Sequence, residues 1–428
     1  MRQILLLLAL LISWPVFASE LSDAMARDKA MQALDAGTDP VVEALSDVDV
    51  SVLKATLALK SGRPKQALTA LASDNHLSED PLASLLEAEA YRLSAVQAVA
   101  KAGDYASGMN VEQQELKQVD LSDGLREADA RLASFLERLD GLEEQQPFDL
   151  LQLDKSIYSV FMVDKARSQM FVYARNSAGE MVSVADEYIV TGAKLGDKQT
   201  SGDARTPNGV YRFVKRLQGK ALATRYGPVA FPIDYPNALD ALHHKDGYGI
   251  WMHGYADGIG RRPPRDTKGC FALPNPRLEA LAEYVKLGRS WVIVGENFTF
   301  GQEEKRVALQ HSVQQVLEDW RLDWSSLNTN RYLQHYHPHF KSKNRDLAKW
   351  KRYKQKLNAG KSFIDVKLSG LSVVRDPNSW PEGEVVVAEF NQSYRSNNYQ
   401  DISRKRLYLA RSDAQAAWRI VLEESIAP

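Results

Sequence analysis

The sequence predicts a multidomain chain: an N-terminal all-α helical segment, a central mostly-β domain and a C-terminal α+β unit. Three observations predict it. From residue 19 to about 140, leucine and alanine recur at helical spacing, as in "DVSVLKATLALKSGRPKQALTALASD". The pattern then becomes strand-like alternation in "IYSVFMVDKARSQMFVYARNSAGEMVSVADEYIVTG", with a turn at "NSAGE". Beyond residue 300, helices come first and long strands after.

Taken in order, the chain opens on "MRQILLLLALLISWPVFASE". Arg2 precedes an apolar run from Ile4 to Ile12, and Val16 and Ala18 offer small-residue cleavage chemistry. That layout predicts a secretory signal peptide over 1–18; the alternatives are a retained anchor or a buried strand. The run is short for a bilayer span. No cysteine follows it directly, so a lipoprotein anchor is not expected, nor is stable membrane insertion after removal of the signal.

Residues 19–145 form the helical domain, broken at "SGRP" and without a clean repeat period. A generic bundle is preferred over tetratricopeptide-type pairs. "EEQQPFDLLQLDKS" (143–156) reads as a linker. The central domain spans 152–297, crowded with turn signals such as "SGDARTPNG" and "KDGYG", and closes on a short helix, "NPRLEALAEYVKLG", and the strand "SWVIVG". The last domain, 303–428, has the long helix "EEKRVALQHSVQQVLEDWRLDWSS" and strands ending in "AWRIVLEES".

Composition removes some functions. With 54 basic and 55 acidic residues the net charge is −1, which gives no electrostatic case for nucleic acid or a membrane surface. No phosphate-binding glycine loop or hydride-cofactor signature is present, and no cofactor is expected.

The chain has one cysteine, Cys270, in "RDTKGCFALPN". A lone thiol in an exported protein is exposed to oxidation, so it is a candidate reactive group; the bland reading is a small buried apolar residue. A histidine that takes the proton raises the thiolate fraction. His253, at the end of the apolar stretch "GIWMH", has a rigid strand end as platform, whereas His243 and His244 look like surface residues in a polar turn. Gly269 allows a tight turn whose backbone N–H groups could face an oxyanion. The following helix would put its N-terminus near the thiol.

"IWMHGY … DTKGCFAL" resembles the L,D-transpeptidase catalytic domain (YkuD-like), whose pattern is His-Gly followed by Ser/Thr-x-Gly-Cys. "VTGAKLGDKQTSGDARTPNGVYRF" and "YGPVAFPIDYPNALD" are similar to its preceding segments, over residues 154 to 296. The resemblance implies that Cys270 is the nucleophile and His253 the base. It also implies that the Gly254 carbonyl orients the imidazole and that Gly269 and Cys270 N–H groups line an oxyanion hole. Thr267 takes the family's Ser/Thr position, and Thr267, Lys268, Arg262, Arg265 and Tyr235 are the candidate substrate-binding residues. The substrate would be a peptidoglycan stem peptide, cut after diaminopimelate in the periplasm, with a wall-attached lipoprotein as a further partner.

Ala272 stands where many members have arginine. The "GCxA" form is similar to lipoprotein-releasing enzymes and to cell-shape L,D-carboxypeptidases that carry a nuclear transport factor 2-like domain. The last domain resembles that fold, a cone with a pocket at its mouth. Hydrolysis is therefore favoured; the alternatives are 3–3 cross-linking, attachment or release of a wall-bound lipoprotein, and a non-catalytic wall-binding scaffold.

Three other motifs carry possible chemistry. "HYHPHF" sets His335, His337 and His339 at alternating positions, where surface or rim roles are preferred to zinc; no metal is expected. The basic run "KWKRYKQKLNAGK" reads as a solvated helix face. "RRPPR" places Arg261, Arg262 and Arg265 on a loop between His253 and Cys270, for carboxylate contact or structure alike.

Overall fold

The computed structural model describes residues 23–72, 81–102 and 146–426 apart from positions 44, 257, 259–261, 263 and 344, with scattered residues from 128 to 141. The leader 1–18 and Arg261 lie outside the described residues. Among the described residues no helix is long and apolar enough to cross a membrane. The chain divides into two compact units: Met1–Glu143 with Gly260–Pro263, and Glu144–Ile259 with Pro264–Pro428.

The first unit is helical: α1 (23–36), α2 (Pro40–Glu43), α3 (Asp47–Lys60), α4 (Pro64–Leu71) and α5 (Pro81–Ala102). Ser46 caps α3 by accepting the Asp49 N–H at 3.2 Å. "SGRP" breaks the helices as expected, with Gly62 at φ 66° and Pro64 in the first turn of α4. Val52, Ala55, Leu86 and Ala90 form one apolar cluster; Leu34, Leu53, Leu57 and Phe135 join a second.

The second unit holds the central and C-terminal domains. In the central domain β2 (Ser159–Asp164), β3 (Gln169–Arg175), β4 (Met181–Tyr188), β6 (Gly209–Arg212) and β12 (Ser290–Gly295) make a sheet of order β4-β3-β2-β12-β6. A smaller sheet runs β11 (Phe271–Ala272), β9 (Trp251–His253), β8 (Val229–Pro232), β7 (Leu217–Gln218). β5 (Thr191–Gly192) pairs with β10 (Arg265–Thr267). α6 (Ala238–Leu242) and α7 (Asn275–Ala282) are the short helices of this domain. Phe161, Val163 and Val172 meet Phe231, Met252, Phe271 and Leu278 between the two larger sheets.

The C-terminal domain opens with α8 (Glu303–Ser325), α9 (Thr329–Gln334) and α10 (Leu347–Asn358). Its strands are β13 (Tyr336–Ser342), β14 (Arg345–Asp346), β15 (Ile364–Arg375), β16 (Glu384–Ser396), β17 (Gln400–Arg411) and β18 (Arg419–Ile426). Trp320, Trp324, Tyr332, Trp350 and Phe390 fill the space between helices and sheet. Lys354 of the basic helix is buried rather than solvated: its ammonium lies 4.1 Å from the Trp324 ring centroid and 4.6 Å from that of Trp350, and burial pushes it down to about 8. The "HYHPHF" stretch lies mostly in strand β13. The His337 and His339 rings lie 5.2 Å apart, while His335 is bound to Asp323 at 2.9 Å.

Two features depart from the sequence reading. The expected linker contains β1 (Leu150–Gln152), which pairs antiparallel with β15 as an edge strand of the C-terminal sheet. The central sheet is also covered on both faces. Val160, Met162, Trp291 and Ile293 turn away from the central core and pack on Val374, Val387, Tyr408 and Val421 of the C-terminal sheet. β2 and β12 are consequently buried at every position.

Candidate active site

β11 pairs in parallel with β9, Phe271 opposite Met252 and Ala272 opposite His253. Met252 and Phe271 both enter the central core, so alternation turns His253 and Ala272 to the other face. Cys270 directly precedes β11, two residues before Ala272. His253 is 4% exposed and Cys270 partly exposed, the order expected of a held base and an accessible nucleophile.

The imidazole state follows from its partner. His253 Nδ1 lies 2.6 Å from the Gly254 carbonyl oxygen. A carbonyl can only accept, so Nδ1 carries the proton and Nε2 is left as the basic nitrogen. The Tyr226 ring meets His253 edge-on, centroids 5.0 Å apart, and also packs at a tilt on Trp251, centroids 5.0 Å apart. The thiol donates to the Gly249 carbonyl at 3.3 Å.

The loop carrying the thiol is held from within. Thr267 Oγ1 donates to the Cys270 carbonyl at 2.7 Å and accepts the Gly269 N–H at 3.0 Å. Gly269 has φ 125°, and a Cβ there would meet the Arg205 carbonyl at 2.6 Å, so both conformation and space demand glycine. The Arg205 segment is itself fixed by Asp203, which bonds Lys198 at 2.7 Å and the N–H groups of Gln199, Thr200 and Arg205. Burial would raise the Asp203 carboxyl, but Lys198 and these N–H groups outweigh it and hold it at about 2. "TPNG" backs the same wall: Thr206 Oγ1 accepts the Gly192 N–H at 2.8 Å.

Several sequence expectations change. The Gly269 N–H is engaged by Thr267, so it does not stand open to an oxyanion. Thr267 is buried and organises the loop instead of meeting substrate. Tyr235 is also buried, beside Tyr211 at 6.0 Å, and its hydroxyl donates to the Asp246 carbonyl at 3.1 Å; it anchors a loop and does not line a substrate surface. β11 lies between Cys270 and α7 in the chain, so the helix does not follow the thiol directly. His243 is not a free surface group: its ring packs on Trp380 at 4.8 Å.

Lys268 is exposed, and Arg262 and Arg265 are partly buried. Arg265 lies in β10 and lines a small pocket with Lys165, Lys194, Thr206 and Glu296. Ala272 is fully buried beside Val190 and Tyr255, where many related motifs carry arginine. Among the described residues no group of three or more His, Cys, Asp or Glu side chains could hold a metal ion.

Sequence reasoning missed Tyr226 and Asn275. Asn275 Oδ1 accepts the Tyr255 N–H at 2.8 Å, and its Nδ2 donates to the Tyr255 carbonyl at 3.2 Å. The signal available was a polar residue directly after "LP", placed to open a helix and bond backbone nearby.

Two regions of the chain match known protein families. Residues 158–294 match the L,D-transpeptidase catalytic domain, and residues 312–424 match the Cds6 C-terminal NTF2-like domain. YafK of Escherichia coli K12, whose name places it among L,D-transpeptidases, is 31% identical over 109 residues. That alignment covers 25% of this chain and only 39% of YafK. The helical cell shape determining protein Pgp2 of Campylobacter jejuni is similar in structure, with TM-score 0.55 and 27% identity over 67% of this chain and 97% of Pgp2. Bd1075 of Bdellovibrio bacteriovorus shares the fold at TM-score 0.57 and 24% identity, covering 66% of this chain and 99% of its own.

Proposed function

We propose, from the premise that this chain carries an L,D-transpeptidase catalytic domain joined to a Cds6-type NTF2-like domain, that it is an exported cysteine enzyme of peptidoglycan remodelling. Its favoured reaction is L,D-carboxypeptidase hydrolysis of tetrapeptide stems in the periplasm. The observation that carries this reading is the β9–β11 register. It sets Ala272, two residues after the only thiol, opposite His253, whose Nδ1 faces the Gly254 carbonyl at 2.6 Å, and this supports the reading.

The chemistry then runs in two balanced steps. His253 Nε2 takes the Cys270 proton, and Sγ attacks the carbonyl carbon of the diaminopimelate–D-alanine amide. The C–N bond breaks, D-alanine leaves with the proton returned by His253, and a thioester remains. Water, deprotonated by Nε2, attacks the thioester carbonyl. The C–S bond breaks and the thiol regains a proton, releasing a tripeptide stem.

Hydrolysis is preferred because Ala272 supplies no guanidinium for an acceptor's carboxylate, and because the similar Pgp2 carries the name of a cell-shape determinant. The test is mass spectrometry of purified tetrapeptide muropeptides after incubation. Tripeptide formed by the wild type and not by Cys270→Ala is expected. Cross-linked dimer in its place would make the enzyme a transpeptidase, and unchanged substrate would leave a wall-binding scaffold.

A further inference from the structure

We propose that Asn275 is a positioning residue for the imidazole, acting through the peptide plane that joins Gly254 to Tyr255; this rests on reading Cys270 and His253 as nucleophile and base. The Gly254 C=O and the Tyr255 N–H belong to one planar trans unit, so fixing the direction of the N–H fixes that of the carbonyl. Asn275 Oδ1 accepts that N–H at 2.8 Å, and the carbonyl on the opposite side of the plane meets His253 Nδ1 at 2.6 Å. Asn275 Nδ2 donates to the next carbonyl, Tyr255 O, at 3.2 Å, so both ends of the amide are engaged by one turn.

The slot around this amide is built to its size. A Cβ on Gly254 would lie 2.1 Å from Asn275 Oδ1, and one on Gly227 would lie 2.4 Å from it. Gly254 N–H is in turn bound to Tyr226 O at 2.9 Å, and His253 O accepts the Leu273 N–H at 3.1 Å. The backbone on both sides of the imidazole is thus tied down, and Asn275 sets the one bond that chooses the tautomer. A carbonyl at Nδ1 also stabilises the imidazolium that forms when the thiol loses its proton. Removing the clamp therefore weakens proton transfer without touching the thiol or the substrate.

The experiment measures iodoacetamide alkylation of Cys270 in the full chain between pH 5 and 9. Asn275→Ala is expected to slow alkylation at pH 7 about tenfold and to move its pH midpoint upward. Leu281→Ala, a buried apolar truncation on the same helix, serves as the control for lost packing and should leave both readings at wild-type values. Asn275→Asp keeps the acceptor for Tyr255 N–H and loses the donor; should Asn275→Ala fail to fold, it is expected to shift the same readings to a smaller extent. An unchanged midpoint in the folded Asn275 variants, or an equal shift in Leu281→Ala, overturns the proposal. A wild-type rate that His253→Ala leaves untouched overturns the nucleophile–base reading itself, and the two failures are told apart by that variant.

Discussion

Arg212 of the central sheet and Glu389 of the C-terminal sheet face each other as a buried ion pair, with Arg212 Nε donating to Glu389 Oε1 at 3.2 Å. Arg406 and Arg404 bind the same carboxylate at 2.8 and 3.1 Å. Burial would raise the Glu389 carboxyl, but Arg406 and Arg212 outweigh it and hold it at about 2. Glu389→Ala leaves three guanidinium groups without their common anion, and is expected to cost about 3–5 kcal/mol in denaturant unfolding. The wild-type contribution is full above the ordinary glutamate range, near 4.5, and is lost as pH falls toward 2. A pH-independent difference between variant and wild type would show that the charge plays no part.

Asp376 behaves in the opposite sense. It is 1% exposed, its Oδ1 accepts the Asn378 N–H at 2.9 Å, and burial pushes its carboxyl up to about 7. Between its ordinary 3.8 and about 7 the folded protein holds a proton that the unfolded chain releases. Stability from this group is therefore greatest at low pH and declines as pH rises through 7. Asp376→Asn should be stabilising by on the order of 1–3 kcal/mol at pH 8 and close to neutral at pH 4, measured by urea titration at both values.

Thr267 holds the thiol loop by two hydrogen bonds, to Cys270 O and from Gly269 N. Thr267→Val keeps the shape and removes both. We expect thiol alkylation and muropeptide turnover to fall about 10–100-fold while the melting temperature drops by only a few degrees. Thr267→Ser should restore most of the rate, since it returns the hydroxyl.

Ala272→Arg tests the departure from the related arginine-containing motif. The site is fully buried between Val190 and Tyr255. Introducing a charged side chain there is expected to cost more than about 3 kcal/mol and to yield little soluble protein. A folded, active variant would mean that the β5–β11 wall can open.

Removing the C-terminal domain should not release a free central domain. A chain ending at Phe300 would expose Val160, Met162, Trp291 and Ile293, now packed on Val374, Val387, Tyr408 and Val421. Aggregation or strong binding of a hydrophobic dye is the expected outcome of expressing it.

The sequence determined the order of the three regions and the two strand-rich domains, and it singled out Cys270 and His253 as candidates. These follow from local periodicity and from residue types whose chemistry is specific. What it could not carry was which side of each element would be covered. Tyr235 and Thr267 read as substrate contacts because their positions in the motif are visible and their burial is not; packing turned one into a loop anchor and the other into a loop brace. The 143–156 segment looked like a linker because three strand residues give no period by themselves; only hydrogen bonding to β15 makes β1 a strand. The continuous burial of β2 and β12 has the same origin, since a second sheet laid on the outer face removes from water residues that alternation alone would leave exposed. Asn275 acquires its place only when the chain returns to the turn after His253. Contacts distant in sequence are set by the closing of the fold, and no local pattern encodes them.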